Sequence, residues 1–366
     1  MNLNGSLIYQ YLNHIKLMQV SRPDIFKEIK RSPKKLWLDK NENINQELLN
    51  FVKKNTKLTK EILSSYPNLS STYKKIANFY KVNKYSLLLA HGSDGGIQNV
   101  FQALVKKNSH VILSSPSFAM YNVYAKAFDA KISYVKYSLN NKGLLSLDVK
   151  NLLNLLKKKP KLFCLPNPDS PTGSSLNNKL LEKIFKICEK NNCYILIDEA
   201  YHLFYKSSQI KKINTYKKLI VVKSFSKAFG LAGLRAGCIV ANINTINYLK
   251  SFKQMYEINH FCSEVLNNIF TKKGISIIQK SINDKIDGKK FFLTFLRESN
   301  FEYLESDGNF IHVNFGINKK KIINELKKIC YFRENDVLLP IEGYSRFTLT
   351  NIKNFKKIIN IINKYI

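Results

Sequence analysis

Short apolar runs alternate with helical patterns between residues 86 and 240 of the chain. Each run has the length and β-branched content of a buried strand, and the segments between them place apolar residues on one face of a helix. The predicted strands span residues 86–90, 130–135, 162–165, 194–197 and 218–222, and the predicted helices span 97–105, 148–156 and 179–190. This alternation predicts an α/β fold, with a mostly parallel sheet and helices on both faces.

Five candidate binding residues, one of them aromatic, follow these predicted strands and the apolar run that begins at residue 110. They are Gly92, Phe118, Asn167, Asp198 and Lys227. In a parallel sheet the carboxyl ends of the strands meet at one edge, and ligands bind there. We therefore expect these five residues to lie close together at a binding site.

The pattern changes beyond residue 240. Helical spacing dominates residues 243–270 and 280–300, strand patterns follow near 310–315 and 346–350, and a last helix is predicted at 355–365. Near the start of the chain, a short helix is predicted over residues 7–18. We predict an N-terminal arm over residues 1–35, a large domain over 36–245 and a smaller α+β domain over 246–366.

The composition is that of a soluble, two-domain protein. The 366 residues are enough for a large core, and 45% of them are hydrophobic. No apolar run approaches the roughly 20 residues of a membrane span, and the first ten residues do not resemble a signal peptide. The six cysteines are scattered without a C-x-x-C pair, which indicates reduced thiols in the cytoplasm. We expect no membrane partner and no metal site.

The formal net charge of +33 raises the question of a nucleic-acid partner. The lysines are spread along the whole chain, no known nucleic-acid-binding motif is present, and arginine occurs only six times. A chain rich in Lys, Asn and Ile is what an AT-rich genome encodes, so we expect no nucleic-acid partner. A positive field would still attract anionic, phosphorylated substrates.

The segment at residues 219–237 carries the strongest chemical signal. An apolar strand is followed by Ser224, Ser226 and Lys227, then by small residues and glycines, and then by Arg235. Arginine is favoured where a planar fork of donors must hold a phosphate. Taken alone, Lys227 is a solvated lysine in a turn. Beside hydroxyls and an arginine, it suits a Schiff base to a phosphorylated aldehyde, which points to pyridoxal phosphate.

Two further strings accompany this segment. The string D-E-A-Y at residues 198–201 ends one predicted strand, and P-N-P-D-S-P-T-G at 166–173 follows another. With S-F-S-K at 224–227 and the arginine eight positions later, they resemble the class I and II aminotransferases, over about residues 36–350. Within that family the chain is most similar to histidinol-phosphate aminotransferase and threonine-phosphate decarboxylase. The resemblance implies the fold-type-I architecture of pyridoxal-phosphate enzymes.

The resemblance implies catalytic roles for Lys227, Asp198 and Tyr201. Lys227 would form the Schiff base and later move a proton, Asp198 would pair with the pyridine nitrogen, and Tyr201 would hydrogen-bond the cofactor O3′. The other residues that it implies at the cofactor are Gly92, Ser93, Asp94, Phe118, Asn167, Ser224, Ser226, Arg235 and Tyr66.

Three of the implied contacts involve a neighbouring subunit or the substrate. Tyr66 would reach the cofactor phosphate from the neighbouring subunit, which implies a homodimer with shared active sites. Arg346, in an R-F-T string, would hold the substrate α-carboxylate. Asn43, in the N-E-N string at 41–43, lies where the arm would enter the active site and is expected to bind substrate.

The chain departs from the family pattern at two places. Ser170 stands where the family has an asparagine that contacts O3′, and Asn167 is the alternative for that contact. Histidinol-phosphate aminotransferases also carry an arginine, in a V-x-V-R string, that grips the substrate phosphate. The comparable stretch here is taken as residues 336–340, which has none, and Arg333 lies off register. This departure argues against histidinol phosphate as the substrate.

Three functions follow from these residues. The first is an aminotransferase that moves an amino group from glutamate to a small oxo acid or a phosphorylated ketone. The second is a decarboxylase of phosphoserine or phosphothreonine, because nearly the same motifs serve both reactions. The third is a basic nucleic-acid-binding protein without a cofactor.

Overall fold

A computed structural model describes residues 30–139, 145–336 and 338–366. The predicted helix at residues 7–18, and most of the predicted arm, lie outside the described residues. The described strands are β1 Leu36–Trp37, β2 Leu87–Ala90, β3 His110–Ser115, β4 Lys131–Leu139, β5 Leu145–Leu147, β6 Leu162–Pro166, β7 Tyr194–Asp198, β8 Leu219–Ser224, β9 Gly237–Ala241, β10 Glu302–Leu304, β11 Phe310–Asn314, β12 Cys330–Tyr331, β13 Arg333–Glu334 and β14 Ser345–Thr348.

Helices fill most of the remaining described chain. They are α1 Gln46–Asn55, α2 Lys60–Ser64, α3 Ser70–Tyr80, α4 Gly92–Leu104, α5 Met120–Ala127, α6 Val149–Leu156, α7 Asn178–Lys190, α8 Ile243–Lys250, α9 His260–Ile269, α10 Lys272–Glu298, α11 Lys319–Ile329 and α12 Ile352–Ile362. Asparagine, which is abundant in this chain, caps many of them. The side-chain oxygen of the capping residue accepts an N–H of the first turn at five helix starts: Asn45, Asn177, Asn242, Asn259 and Asn351.

Eight strands form the large sheet, in the order β2-β9-β8-β7-β6-β3-β4-β5. The pairs from β8 to β4 are parallel, whereas β9 and β5 run antiparallel to their neighbours. The mostly parallel sheet predicted from the sequence is therefore confirmed. Since parallel strands enter and leave the sheet at opposite edges, the residues after β3, β6, β7 and β8 all emerge on one side.

Helices cover both faces of this sheet, as the near-continuous apolar strands predict. Along β8, Val221 packs into a cluster with α7 residues such as Phe185, whereas Ile220 and Val222 pack with α4 residues such as Phe101 on the other face. Fully buried β-branched residues on both faces fix the strands and hence the positions of the residues that follow them.

A four-stranded antiparallel sheet, in the order β10-β11-β14-β13, forms the centre of the small domain. Helices α11, α12 and the end of α10 pack on it, through residues such as Phe292, Leu326 and Phe355. The chain enters this domain early, because β1 pairs in parallel with β12 and Leu38 joins its core.

The long helix α10 joins the two cores. Ile278 and Ile282, in its first half, pack into the large-domain cluster, whereas Phe292 and Leu296 pack into the small-domain cluster. Helix α9 also packs on the large domain. The hydrophobic clusters therefore divide the chain within α10, and not at the predicted boundary between residues 245 and 246.

Candidate active site

The residues that follow the parallel strands form one connected group. The backbone N–H of Asn167 donates to the carbonyl of Asp198 across β6 and β7, at 2.8 Å. The Tyr121 hydroxyl donates to Asp198 Oδ2 at 3.1 Å, and the Phe118 ring meets the Tyr121 ring edge-on, with their centroids 6.0 Å apart. The structure thus brings together Phe118, Asn167 and Asp198, three of the five strand-end residues expected from the sequence, with Tyr121 among them.

Lys227 follows β8 and is partly buried. Its Nζ donates to the backbone carbonyl of Lys40 at 2.8 Å. Burial lowers the pKa of Lys227 to about 8, and the positive charges of Arg346 and Arg235 act in the same direction, against Glu42 and Asp198. The neutral amine, which is the nucleophilic form, is therefore accessible close to neutral pH.

Asp198 ends β7 as a buried carboxylate. It accepts the Tyr121 hydroxyl and, at 3.0 Å, the backbone N–H of Ala200. Burial raises the pKa of Asp198 to about 6, and the neighbouring charges of Asp94 and Glu199 add to this rise, while the two hydrogen bonds oppose it. A buried carboxylate without a cation is costly, so the site is suited to a cationic partner such as a protonated pyridine nitrogen.

Tyr201 has two polar neighbours at its hydroxyl. Asn41 Nδ2 donates to the Tyr201 hydroxyl at 2.8 Å. Burial raises the pKa of Tyr201, whereas the charge of Arg346 and the side chains of Ser170 and Asn41 oppose this rise. Asn41 was not among the predicted site residues, although the N-E-N string contained it.

Asn43 does not join this group. Its Nδ2 donates to the Ala228 carbonyl at 2.8 Å, and its Oδ1 accepts the Ser281 hydroxyl at 3.0 Å. Both ends of its buried amide are therefore used to hold the lysine loop against α10. The substrate contact of Asn43 stays a prediction, and Asn41 is the asparagine of the string that contacts Tyr201.

Asn167, the alternative residue for the contact with the cofactor O3′, is held by a backbone hydrogen bond. Asn167 Oδ1 accepts the backbone N–H of Leu176 at 2.7 Å, which holds the amide in the loop after β6. Ser170, by contrast, is close enough to Tyr201 to influence its pKa. The choice between Ser170 and Asn167 for the O3′ contact stays a prediction.

A cradle for a phosphate forms where α4 begins. Helix α4 starts at Gly92, so the N–H groups of its first turn, those of Gly92, Ser93 and Asp94, have no carbonyl partner within the helix. A Cβ at Gly237 would lie 2.7 Å from both the Gly92 carbonyl carbon and the Ser93 nitrogen. Only glycine allows β9 to approach the helix start so closely. Asp94 uses its carboxylate elsewhere, since Oδ1 accepts the Tyr124 hydroxyl at 2.8 Å.

The side chains around this helix start suit an anion. The Arg235 guanidinium lies beside Gly92, where a Cβ would come within 3.0 Å of Nη2. Ser224 Oγ accepts the Ser226 N–H at 3.1 Å, and the buried Ser226 hydroxyl has no hydrogen-bond partner among the described residues. An orphaned buried hydroxyl, free N–H groups and an arginine fork fit the phosphate of the expected cofactor.

Tyr66 lies apart from this group within the chain. It is 77% exposed and stacks on Tyr256, with ring centroids 4.3 Å apart. Its predicted contact with the cofactor of a neighbouring subunit stays a prediction.

Two arginines meet at the substrate side of the site. In the small sheet, Arg333 of β13 pairs directly opposite Arg346 of β14. Arg346 Nη2 and Arg333 Nε both donate to the Asp39 carbonyl, at 3.0 and 3.4 Å. Arg333 is off register with the V-x-V-R string of the family, but strand pairing places it beside the predicted carboxylate-binding arginine.

The arginine pair is poorly compensated within the described chain. Burial lowers the pKa of Arg346, and the charge of Arg333 lowers it further. The Nε of Arg346 has no partner among the described residues, and its guanidinium lies 5.3 Å from the centroid of the Phe310 ring. Two adjacent guanidinium groups with unused donors form a ready site for anions.

The chain is similar to known proteins over most of its length. The family model "Aminotransferase class I and II" matches residues 33–362. The curated histidinol-phosphate aminotransferase of Clostridium novyi is 30% identical over 331 residues, covering 88% of this chain and 86% of that protein. The one from Thermoanaerobacter sp. (strain X514) is 29% identical over 340 residues, covering 91% and 93%.

A solved structure supports the fold independently. The histidinol-phosphate aminotransferase of Sinorhizobium meliloti, in complex with pyridoxal-5′-phosphate, superposes with a TM-score of 0.76 at 16% sequence identity. The superposition covers 95% of this chain and all of that one. In the part of the chain that the structure describes, no helix is both long enough and apolar enough to cross a membrane.

Proposed function

The chain belongs to the class I and II aminotransferases, enzymes that use pyridoxal phosphate to transfer an amino group, and we propose that its donor is glutamate and its acceptor a small phosphorylated ketone. The ketone that corresponds to histidinol phosphate is the leading candidate, because curated relatives carry that substrate in their names. A small oxo acid is the other acceptor class.

Bound pyridoxal phosphate supplies an aldehyde carbon that takes up the amino group and a ring that withdraws electrons. The start of α4, Ser226 and Arg235 would hold its phosphate, and Phe118 would lie against its ring. Asp198 would keep the pyridine nitrogen protonated, because the buried carboxylate gains a cation that the protein does not provide. Tyr201, with Ser170 beside it, would hydrogen-bond O3′.

Lys227 is the proton carrier in this proposal. Its lowered pKa leaves a large share of the amine neutral near pH 8, so Nζ can take a proton from the substrate Cα. The charges of Arg346 and Arg235 help to keep Nζ neutral, so the groups that bind anions also tune the base.

The arginine pair, Arg333 and Arg346, would determine which substrates bind. Glutamate has two carboxylates, and a phosphorylated ketone has one doubly charged phosphate. Arg346 would hold the α-carboxylate of the donor, and Arg333, beside it, would hold the second carboxylate or the phosphate of the acceptor. One pair of forks would thus serve both halves of the reaction, which take place in turn at the same site.

The exposure of Tyr66 supports a homodimer with shared active sites. An aromatic residue that is 77% exposed and stacked on Tyr256 suits a contact with a second copy. All six cysteines are free, buried thiols, which supports a reducing compartment, and we propose the cytoplasm.

Half-reactions test the proposal. Glutamate, added alone to the cofactor-loaded enzyme, is expected to shift the cofactor absorbance to that of the amine form. The ketone of histidinol phosphate should then restore the original spectrum. Alanine, with one carboxylate, is the matched donor control and should act far more weakly than glutamate.

Two outcomes would contradict the proposal. If no amino donor changes the spectrum, amino transfer itself is in doubt. If phosphoserine or phosphothreonine instead releases CO2 without accumulation of the amine form, the decarboxylase alternative is favoured.

A further inference from the structure

A cavity lies next to the segment at residues 38–42, whose carbonyls at Asp39 and Lys40 contact active-site residues. It has a volume of about 360 Å³, in the range of sites for small molecules. The segment at residues 33–44, helix α10 and the start of α12 surround it. Its apolar wall consists of Leu36, Trp37, Leu38, Ile44 and Leu349.

Lys285 of α10 lines this cavity and has no partner there. Its side chain is buried, with 6% of the residue exposed. No hydrogen bond or ion pair to Lys285 is found within residues 30–139, 145–336 and 338–366. Burial lowers the pKa of Lys285 to about 8, and the charge of the adjacent Asp284 only partly opposes this. Lysine is rarely buried without a counter-charge, because losing hydration is costly.

The other charged side chains at the cavity have hydrogen-bond partners. Glu42 pairs with Arg31 at 2.6 Å, and the Lys35 ammonium, which is only partly buried, donates to the Lys327 carbonyl at 2.7 Å. Among the described lining residues, Lys285 is therefore the buried cation without a hydrogen-bond partner.

We propose that this cavity binds a small organic anion with a single negative group on an apolar body. The Lys285 ammonium would take the anionic group, and Trp37 with its neighbouring leucines would cover the body. The site is separate from the arginine pair. Leu38 and Glu42 line the cavity, whereas the carbonyls of Asp39 and Lys40, between them, face the active site.

The single tryptophan of the chain reports on this site directly, because it is Trp37. We would titrate the cofactor-loaded enzyme with benzoate and with benzamide, a neutral molecule of the same shape, and follow tryptophan emission. Benzoate should give a saturable change. Benzamide should bind at least about tenfold more weakly, because it lacks the charge-assisted hydrogen bond to Lys285.

Three variants locate the response. Lys285→Met keeps the apolar stem and should weaken benzoate binding about tenfold. Lys290→Met, an exposed lysine on the same helix, should leave it unchanged. Benzoate can also reach the active-site arginines, so Arg346→Lys should alter the response of the cofactor absorbance and leave the Trp37 response in place.

Several results would overturn the proposal. One is a Trp37 response that is absent, or the same for benzoate and benzamide; this comparison needs no variant and so does not depend on how Lys285→Met folds. Unchanged benzoate affinity in a folded Lys285→Met enzyme would do so as well. So would a Trp37 response that disappears in Arg346→Lys, since the signal would then come from the active site.

Discussion

The cofactor half and the substrate half of the active site are built in different ways. Asp198 and Lys227 follow parallel strands, whose ends converge wherever each strand stops. Arg333 and Arg346 lie within antiparallel strands of the small sheet, and Asn41 lies in an irregular segment that crosses between the domains. A residue at a strand end can be located from the sequence even when the predicted end of the strand is wrong by one residue. A residue within an antiparallel pair cannot, because a shift of one residue in register turns its side chain to the other face of the sheet.

Arginine and lysine have different places in this chain. The chain uses lysine for nearly all of its positive charge and has only six arginines. Three of them, Arg235, Arg333 and Arg346, lie at the proposed phosphate and carboxylate positions. A planar fork of donors cannot be replaced by an ammonium group, so arginine is retained where two oxygens must be held together.

The largest expected effect is a loss of activity when the cofactor half of the site is changed. Asp198→Asn removes the negative charge that would keep the pyridine nitrogen protonated, while keeping the shape of the side chain. We expect kcat to fall by about 10³-fold, within the range of losses for a single electrostatic group in a buried site. Steady-state kinetics with glutamate measure it, and the cofactor absorbance checks that the variant still binds pyridoxal phosphate. A fall in kcat of less than tenfold would show that Asp198 does not keep the pyridine nitrogen protonated.

A smaller effect tests the substrate half. Arg333→Lys keeps the charge and loses the fork, so KM for glutamate and for a phosphorylated acceptor should rise about 10- to 100-fold. KM for alanine should stay nearly constant, because alanine has no second anion. The exposed Arg297→Lys, on α10, is the matched control and should change neither. Equal increases for glutamate and alanine would show that Arg333 does not read the second anion.

The two asparagines of the N-E-N string should separate into a catalytic and a structural effect. Asn41→Ala removes the donor to Tyr201 and should lower kcat/KM about tenfold, a typical value for one buried hydrogen bond to a reacting region. Asn43→Ala breaks the bonds to Ala228 and Ser281, and should lower the melting temperature more than it lowers kcat. The reverse pattern would restore Asn43 as the substrate contact.

The smallest expected effect concerns stability and has the opposite sign. Without cofactor, Asp198 has a pKa of about 6 in the folded chain, above the usual 3.8. Because the folded-state pKa is raised, its stabilising contribution is complete below about pH 4 and is lost as the pH rises through 6. In the cofactor-free state at pH 7.5, Asp198→Asn should therefore melt a few degrees higher than the natural chain.

That difference in melting temperature should disappear below about pH 3, where Asp198 is protonated in both the folded and the unfolded state. Thermal melts of both cofactor-free proteins across this pH range measure it. A cofactor-free variant that is less stable than the natural chain at pH 7.5 would mean that Asp198 is already compensated within the protein.

The sequence was sufficient for the cofactor half and insufficient for the substrate half, for a physical reason. Continuous β-branched runs mark buried parallel strands, so the positions of Asp198 and Lys227 at one edge followed from periodicity alone. The register of β13 against β14 depends on a loop of ten residues between them, which local pattern does not specify. The position of Arg333 beside Arg346 therefore became apparent only from the observed strand pairing.

The different surroundings of Asn41 and Asn43 could not be predicted for a related reason. Residues two apart point the same way only in regular strand, and this segment is irregular, with Asn41 at a positive φ of 55°. That backbone turn directs Asn41 to Tyr201 and leaves Asn43 to pack against α10. The predicted domain boundary at residues 245 and 246 stays a prediction; α10 continues from one hydrophobic cluster into the other without a break in its helix.

The most direct test of the account is the site of covalent attachment of the cofactor. Borohydride reduction of the cofactor-loaded enzyme, followed by digestion and mass spectrometry, should place a single pyridoxyl group on Lys227. The chain offers many competing lysines, including Lys223 only four residues earlier in the same segment. A modification at Lys223 or at any other lysine, with Lys227 unmodified, would contradict the assignment of this site.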